Sequence, residues 1–293
     1  MVTWLTFRCK KGYYIMARIS PSGRRYGWVH SKPDHRDNIY SAGLIHTASL
    51  PTSVDLRPQM PPVYDQGSLG ACSSHAFAAA LEYELKRQKL ADMVPSRLFI
   101  YYNERALENT IESDSGADLR DGIKTLVKQG FCDEKLWPYT ISKFAQKPDS
   151  VCYSSALKDL ITGYSSVPQA MSTAQSALAS GLPIVFGFTV YESFESEEVS
   201  ATGIVPMPRS GEASLGGHAV IAVGYDSSLF GGNGGVIVRN SWGQRNVAKP
   251  RSTTPDGSNW GWGLDGCGHF LMPYSYFFNP QLAGDFWVIK NIA

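Results

Sequence analysis

The segment Gln66-Gly67-Ser68-Leu69-Gly70-Ala71-Cys72 sets two glycines ahead of a run, Ala71 to Leu90, that contains neither glycine nor proline after its loop. Phe77, Ala80, Leu81 and Leu85 recur in that run at helical spacing. The chain must therefore turn out of a loop into a helix with Cys72 near its first turn. A thiol there meets the positive end of the helix dipole, which lowers its pKa and raises its thiolate fraction. The side-chain amide of Gln66 and the backbone N–H of Cys72 are candidate donors to an oxyanion. That arrangement suits a nucleophile, and a thiolate nucleophile needs a base.

Two later segments supply the candidates. Gly216-Gly217-His218 opens the apolar run Ala219 to Val223, and the apolar run Val236-Ile237-Val238 leads into Arg239-Asn240-Ser241-Trp242-Gly243. The two runs read as strands joined through the turn-forming stretch Gly231 to Gly235, so they pair as a hairpin and set His218 beside Asn240. In that set Cys72 attacks a carbonyl, His218 takes the thiol proton and returns it to the leaving amine, and Asn240 fixes the imidazole tautomer. Trp242 covers the His218–Asn240 bond. His75, three residues after Cys72 on the same helix face, competes for the role of base. A base approaching from another part of the chain is the better reading, which leaves His75 a packing residue. His30, His35, His46 and His269 read as surface or packing residues.

The ordered set Gln66, Cys72, His218, Asn240 resembles the papain-like cysteine peptidases, in the style of their bacterial branch. Leu50-Pro51-Thr52-Ser53-Val54-Asp55-Leu56-Arg57 resembles the start of a mature domain of that family, and Trp137-Pro138-Tyr139 and Trp260-Gly261-Trp262-Gly263 match further landmarks. The resemblance runs from residue 50 to the last strands. It implies an α+β, papain-like two-lobe fold, a helical lobe facing a β-barrel-like lobe across a cleft. It also implies a thiol peptidase acting on peptide or protein substrates. Carried over residue by residue, it makes Cys72 the nucleophile, His218 the base and acid, Asn240 the orienter and Gln66 the oxyanion donor. Gly116 and Ala117 would align the substrate backbone on the non-primed side, in the manner of strand addition, and Gly217 and Trp242 would line the site. A bland alternative makes Gly116 only a turn before a helix capped by Asp118. Cys132 and Cys152, flanking Trp137-Pro138-Tyr139, are the pair most suited to a disulfide, beside the alternative that all four remaining cysteines, Cys9, Cys132, Cys152 and Cys267, are thiols.

The chain departs from the family pattern in several places. Leu69 stands where most relatives carry a cysteine, and Ser73 where an aromatic follows the nucleophile. Gly217 replaces the Asp or Asn that often precedes the histidine. Gln244 to Asn259 is a polar, proline-containing insertion.

Along the chain, residues 1–49 are polar and core-poor, an N-terminal extension or short pro-segment, with residues 50–293 as the peptidase domain. Its helical lobe spans about 50–160 and its β-rich lobe about 161–293. Helices are expected over Ala71 to Leu90, Pro95 to Asn109, Asp118 to Lys128 and Gln169 to Ser180, and strands at Ile184 to Phe188, Ala219 to Val223 and Val236 to Val238. Residues 20–45, directly before the Leu50 start, are expected in or near the cleft as a self-inhibiting segment, with a structural arm packed elsewhere as the alternative. Met16 opens a more ordinary N-terminus than Met1, so residues 1–15 read as a start-site extension. No secretory leader is recognisable, which leaves a cytoplasmic protein or export by another route.

With 293 residues, 43% hydrophobic, 18% charged and a net charge of +1, the chain gives no argument for nucleic acid or a membrane surface. No stretch approaches the ~20 apolar residues that span a bilayer. A monomer is expected. No CxxC, HxxxH, GxSxG or phosphate-loop pattern occurs, so neither metal nor cofactor is expected. Two other classes remain in view: a silent or permanently latent homologue acting as a binding module, and a transferase or amidase using the same thiol.

Overall fold

The computed structural model of the chain describes residues 4–8, 14–18, 20, 23–32, 34–41, 50–90, 92–243 and 264–293. Cys9, His46 and the insertion Gln244 to Asn259 lie outside them, as does the Trp260-Gly261-Trp262-Gly263 landmark. Near the N-terminus, β1 (Trp4–Arg8) and β2 (Tyr14–Arg18) form an antiparallel hairpin in which Met16 pairs with Thr6. Met16 thus sits inside a strand whose partner comes from residues 1–15.

A short strand, β3 (Trp28–Val29), and β4 (Ser53–Asp55) precede the first helix, α1 (Cys72–Arg87). That helix is buried from Cys72 through Leu85. Such burial on all sides explains why its small residues, Ala76, Ala78, Ala79 and Ala80, sit where a surface helix would show charge. It packs on α2 (Arg97–Glu108) to one side and on the sheet to the other. Ser96 caps α2, accepting from the amide of Phe99 at 3.2 Å, and Asn109 ends it in the left-handed conformation. Strand β5 (Ala117–Asp118) leads directly into α3 (Leu119–Lys128). Asp118 is its cap, accepting from the amides of Arg120 and Asp121. Gly130 ends this segment at φ +71, where a Cβ would lie 2.0 Å from the Ala156 carbonyl. The short α4 (Ser150–Ala156) carries Cys152.

The rest is dominated by antiparallel sheet: β6 (Ile161–Ser166), β7 (Ile184–Tyr191), β8 (Ser214–Asp226), β9 (Gly235–Arg239), β10 (His269–Pro273) and β11 (Ala283–Ile292). The described strands run β10-β9-β8-β7-β11-β6, with β4 also on β8. β10 and β6 are its two ends, so the described sheet is open, not a closed ring. Helix α5 (Met171–Ala179) packs against it, α6 (Glu197–Thr202) follows β7, and the short α7 (Leu229–Gly232) and α8 (Tyr274–Phe277) sit at its margins. One core, with Phe77, Leu81, Phe186, Phe188, Val220 and Phe286 at its centre, joins α1 to the sheet. A smaller cluster of Leu98, Phe99, Tyr101, Trp137 and Cys152 lies beneath the α2 side.

The architecture is α+β as expected. The expected hairpin forms as β8 and β9, with Ile221 opposite Arg239. Cys132 and Cys152 do meet, thiol hydrogen-bonded to thiol, but both are free. The expected bridge is therefore a buried dithiol contact in the small cluster.

Candidate active site

His218, in the first half of β8, and Asn240, the residue after β9, lie side by side because the two strands are neighbours. His218 Nε2 is 2.8 Å from Asn240 Oδ1, and the same oxygen accepts from the Ser241 amide at 2.8 Å. An oxygen that already accepts makes Nε2 the donor, so the neutral ring carries its proton on Nε2 and presents a lone pair at Nδ1. Nδ1 has no hydrogen-bond partner among the described residues. Trp242, 2% exposed, stacks on the imidazole with centroids 5.2 Å apart, and Phe188 meets it edge-on. Arg239 anchors this corner by donating to the carbonyls of Pro61 and Pro62, the loop that leads to Gln66.

Cys72 opens α1 and is fully buried, with the backbone amides of Ala219, Gly27 and Ser73 turned to its sulfur. Ala219 is the neighbour of His218, so the packing of α1 on β8 sets the thiol against the backbone next to His218. Gln66 is held from both sides. Its Oε1 accepts from Ser241 Oγ at 2.6 Å, and its backbone amide donates to the Ser241 carbonyl at 2.9 Å. Its Nε2 donates to the Leu69 carbonyl at 2.9 Å and reaches the Arg25 carbonyl at 3.5 Å.

Residues 23–32 run straight through this site. Arg24 stacks on Trp242 at 4.3 Å, and Arg25 pairs with Asp114 at 3.1 Å. The ring of Tyr26 stands edge-on to His218 at 5.6 Å while its hydroxyl donates to Glu195. The Gly27 carbonyl accepts from the Ala117 amide at 2.7 Å, and β3 continues parallel to β5, Trp28 opposite Ala117. A Cβ on Gly116 would lie 1.8 Å from the Gly27 carbonyl oxygen, and one on Gly217 2.4 Å from that of Trp28. Gly116, Ala117 and Gly217 thus touch a peptide backbone, and here the peptide is the chain's own.

This strap sets the electrostatics. Burial pushes the Cys72 thiol up to about 11, the three amides pulling it back only in part. Burial holds the His218 imidazole down at about 4, raised somewhat by Asn240 and lowered further by Arg24. Between those values the pair is thiol and neutral imidazole. His75 does not join it. Its Nδ1 bonds the Ala71 carbonyl at 2.7 Å and its ring stands edge-on to Tyr139 at 4.7 Å, within the helix packing. His269 is buried in β10 opposite Arg239 of β9.

The pattern described as papain family cysteine protease matches residues 50–249. The chain belongs to the papain family of cysteine proteases. The protease is 38% identical to xylellain, a cysteine protease of Xylella fastidiosa, whose structure it matches with a TM-score of 0.79 over 95% of this chain and 100% of that one. It is 40% identical to an uncharacterized peptidase C1-like protein of Acanthamoeba polyphaga mimivirus, covering 94% of this chain and 89% of the relative. Procathepsin L 3 of Tenebrio molitor shares the fold at 19% identity and TM-score 0.62, covering 89% of this chain and 76% of the other.

Several residues at the site escape sequence reasoning. Ser241 orients Gln66, Glu195 holds Tyr26, Asp114 holds Arg25, and Asp285 receives Trp28. Each acts across a large sequence separation, 175 residues for Ser241 and Gln66, and no local pattern marks any of them. Arg24-Arg25-Tyr26-Gly27-Trp28, two cations and two aromatics about a glycine in a polar segment, was the one visible signal.

Proposed function

We propose that the protease is a latent endopeptidase in which Cys72 is the nucleophile, His218 the base and acid, Asn240 the orienter and Gln66 an oxyanion donor, with residues 1–49 as the pro-segment of a 50–293 peptidase domain. The observation that carries this reading is the strap. A peptide backbone lies with the Gly27 amide at the Cys72 sulfur and the Gly27 carbonyl on Ala117, where a substrate would lie.

With the strap displaced, water reaches Cys72 and His218, and the desolvation that keeps both neutral is relieved. The proton passes from Sγ to Nδ1, giving a thiolate at a helix N-terminus and an imidazolium held by Asn240. The thiolate adds to the substrate carbonyl carbon. Its oxygen takes the negative charge beside the Cys72 amide and Gln66 Nε2, which the strap no longer occupies. Collapse expels the amine with the proton from His218 Nδ1, leaving an acyl-enzyme. Water then attacks, His218 accepts its proton, and Cys72 is released. Gly116 and Ala117 would hold the substrate backbone as they hold Gly27.

The test compares the intact chain with chain folded intact and then cut at a protease site introduced among residues 42–49. The cut protein should hydrolyse peptides and label at Cys72 with iodoacetamide, and Cys72→Ala should abolish hydrolysis. Labelling without turnover of any peptide would favour the silent homologue.

A further inference from the structure

His75 lies buried in the first turn of α1, and its ring is held on several sides. Nδ1 bonds the Ala71 carbonyl at 2.7 Å, Tyr139 stands edge-on at 4.7 Å and Tyr64 edge-on at 6.3 Å. A carbonyl only accepts, so Nδ1 carries the proton. Burial first, and then the charge of Arg97, hold the pKa of the ring well below the ordinary imidazole range, which leaves it neutral. Nε2 is therefore a bare lone pair. The Asp65 carbonyl also faces the ring, but it has no proton to give. Among the described residues Nε2 has no hydrogen-bond partner.

Asn240 has the opposite need. Its Oδ1 accepts twice, from His218 Nε2 and from the Ser241 amide, both at 2.8 Å. Its Nδ2 points away from that pair with two N–H groups, 3% of the residue is exposed, and among the described residues Nδ2 has no partner. One buried atom thus wants a proton and the other a lone pair. Both residues line the same small cavity, of about 10 Å³, between α1, β8 and the end of β9, where Tyr64, Ala76, Ala219 and Ser241 complete the walls. That is about the space in which the centre of a single water is accommodated.

We propose that this cavity is the site of one ordered water, which donates to His75 Nε2 and accepts from Asn240 Nδ2, and that His75 acts through it as a positioning residue for the His218–Asn240 pair. The water cannot be turned round. The His75 lone pair takes only a proton, so the oxygen's own lone pair is left for Asn240, and the second O–H is available to the Asp65 carbonyl. An apolar residue 75 deprives the water of its acceptor. The buried Nδ2 then goes unmet, a cost that an amide relieves by tilting out of line with His218. The catalytic consequence rests on the peptidase reading above, whereas the water and its bonds belong to the closed chain.

The first measurements use the full chain and need no turnover. Its crystal structure should show an ordered water in hydrogen-bonding reach of His75 Nε2 and Asn240 Nδ2 together, and a dry cavity overturns the inference. The ¹⁵N shifts of His218 report the ratio of its Nε2–H to its Nδ1–H tautomer. That ratio should fall about three- to tenfold in His75→Phe and in His75→Asn, as expected for one lost neutral hydrogen bond. His75→Asn keeps a donor for the Ala71 carbonyl but none of the reach of Nε2. His75→Gln sets an amide oxygen near the place of Nε2 and should stay within about twofold of the parent. Packing alone ranks the variants the other way, because phenylalanine keeps the ring against Tyr139. In the cut protein, kcat should follow the tautomer ratio while KM changes little. An unchanged ratio in all three variants, or phenylalanine closest to the parent, overturns the inference whether or not peptides are cut. The expected ratios in a cut protein that hydrolyses no peptide overturn the peptidase reading and leave the water-mediated contact standing. Should the variants not fold, diffraction from the parent decides.

Discussion

The Gly27 carbonyl accepts a hydrogen bond from the Ala117 amide at 2.7 Å, and the α-carbons of Gly27 and Gly116 approach so closely that neither tolerates a side chain. A Cβ on Gly27 would lie 2.0 Å from the Gly70 carbonyl and 2.8 Å from Gly116 Cα. The site is thus closed by backbone packed on backbone, directly over Cys72.

Gly27→Val should open it. The added carbons collide with main chain that cannot shift cheaply, so the strap is displaced while the protease core is untouched. Labelling of Cys72 in the full chain should accelerate by at least about tenfold, the equivalent of ~1.4 kcal/mol in the closing equilibrium. Unchanged labelling would mean that the thiol is reached by a route the strap does not guard.

The pH dependence of that labelling carries a sign. The thiol in the closed chain titrates near 11, raised by burial, so the closed state is favoured fully below the ordinary thiol range and loses that advantage as pH rises toward 11. The depressed His218 works at the other end. Its neutral form, held down to about 4, makes the closed state lose stability as pH falls from the ordinary imidazole range toward 4. Labelling of the full chain should therefore climb with a midpoint near 11, and the cut protein should react at much lower pH. Coincident profiles for the two forms would remove the strap from the account.

Asn240→Ala removes the acceptor that fixes the proton on His218 Nε2. We expect kcat of the cut protein to fall by about ten- to hundredfold with little change in KM, the cost of freeing an imidazole to adopt the wrong tautomer. A change confined to KM would place Asn240 outside the chemistry.

Gln66→Ala should slow turnover by ~10²–10³-fold if its amide stabilises the oxyanion. Ser241→Ala offers a finer probe, because Ser241 Oγ holds the opposite end of that amide at 2.6 Å. It should give a smaller loss, again in kcat. Retained kcat in both variants would leave the Cys72 amide without a side-chain helper.

Cys132 and Cys152 should both alkylate in the denatured, non-reduced protein, since each is a free thiol. A peptide pair joined at these positions by mass spectrometry would show that the contact oxidises.

The local pattern places elements well where it is strong. The sequence predicts a helix over Ala71 to Leu90 and one over Asp118 to Lys128, and the helices run Cys72–Arg87 and Leu119–Lys128. Apolar spacing and the Asp118 cap are local signals that survive folding. The hairpin bringing His218 to Asn240 is legible for the same reason, through its glycines. The β-rich half is less so: β8 extends to thirteen residues, Ser214–Asp226, beyond its apolar run, because a central strand is stabilised by two neighbours whatever its own propensity.

What the sequence determined by itself was the inventory of the chemistry: an amide, a thiol, an imidazole and a second amide, in order, with the thiol and the imidazole on elements that local periodicity defines. It also marked residues 20–45 as a segment with no core of its own. The tertiary structure alone decided the state of those groups. The strap withdraws water from Cys72 and His218, and so reverses the pKa tendency that the helix N-terminus gives the thiol. It likewise decided that Ser241 aims Gln66 and that Asp285 receives Trp28. Desolvation and hydrogen-bond geometry depend on what surrounds a group in space, and those surroundings come from stretches of chain far apart in sequence.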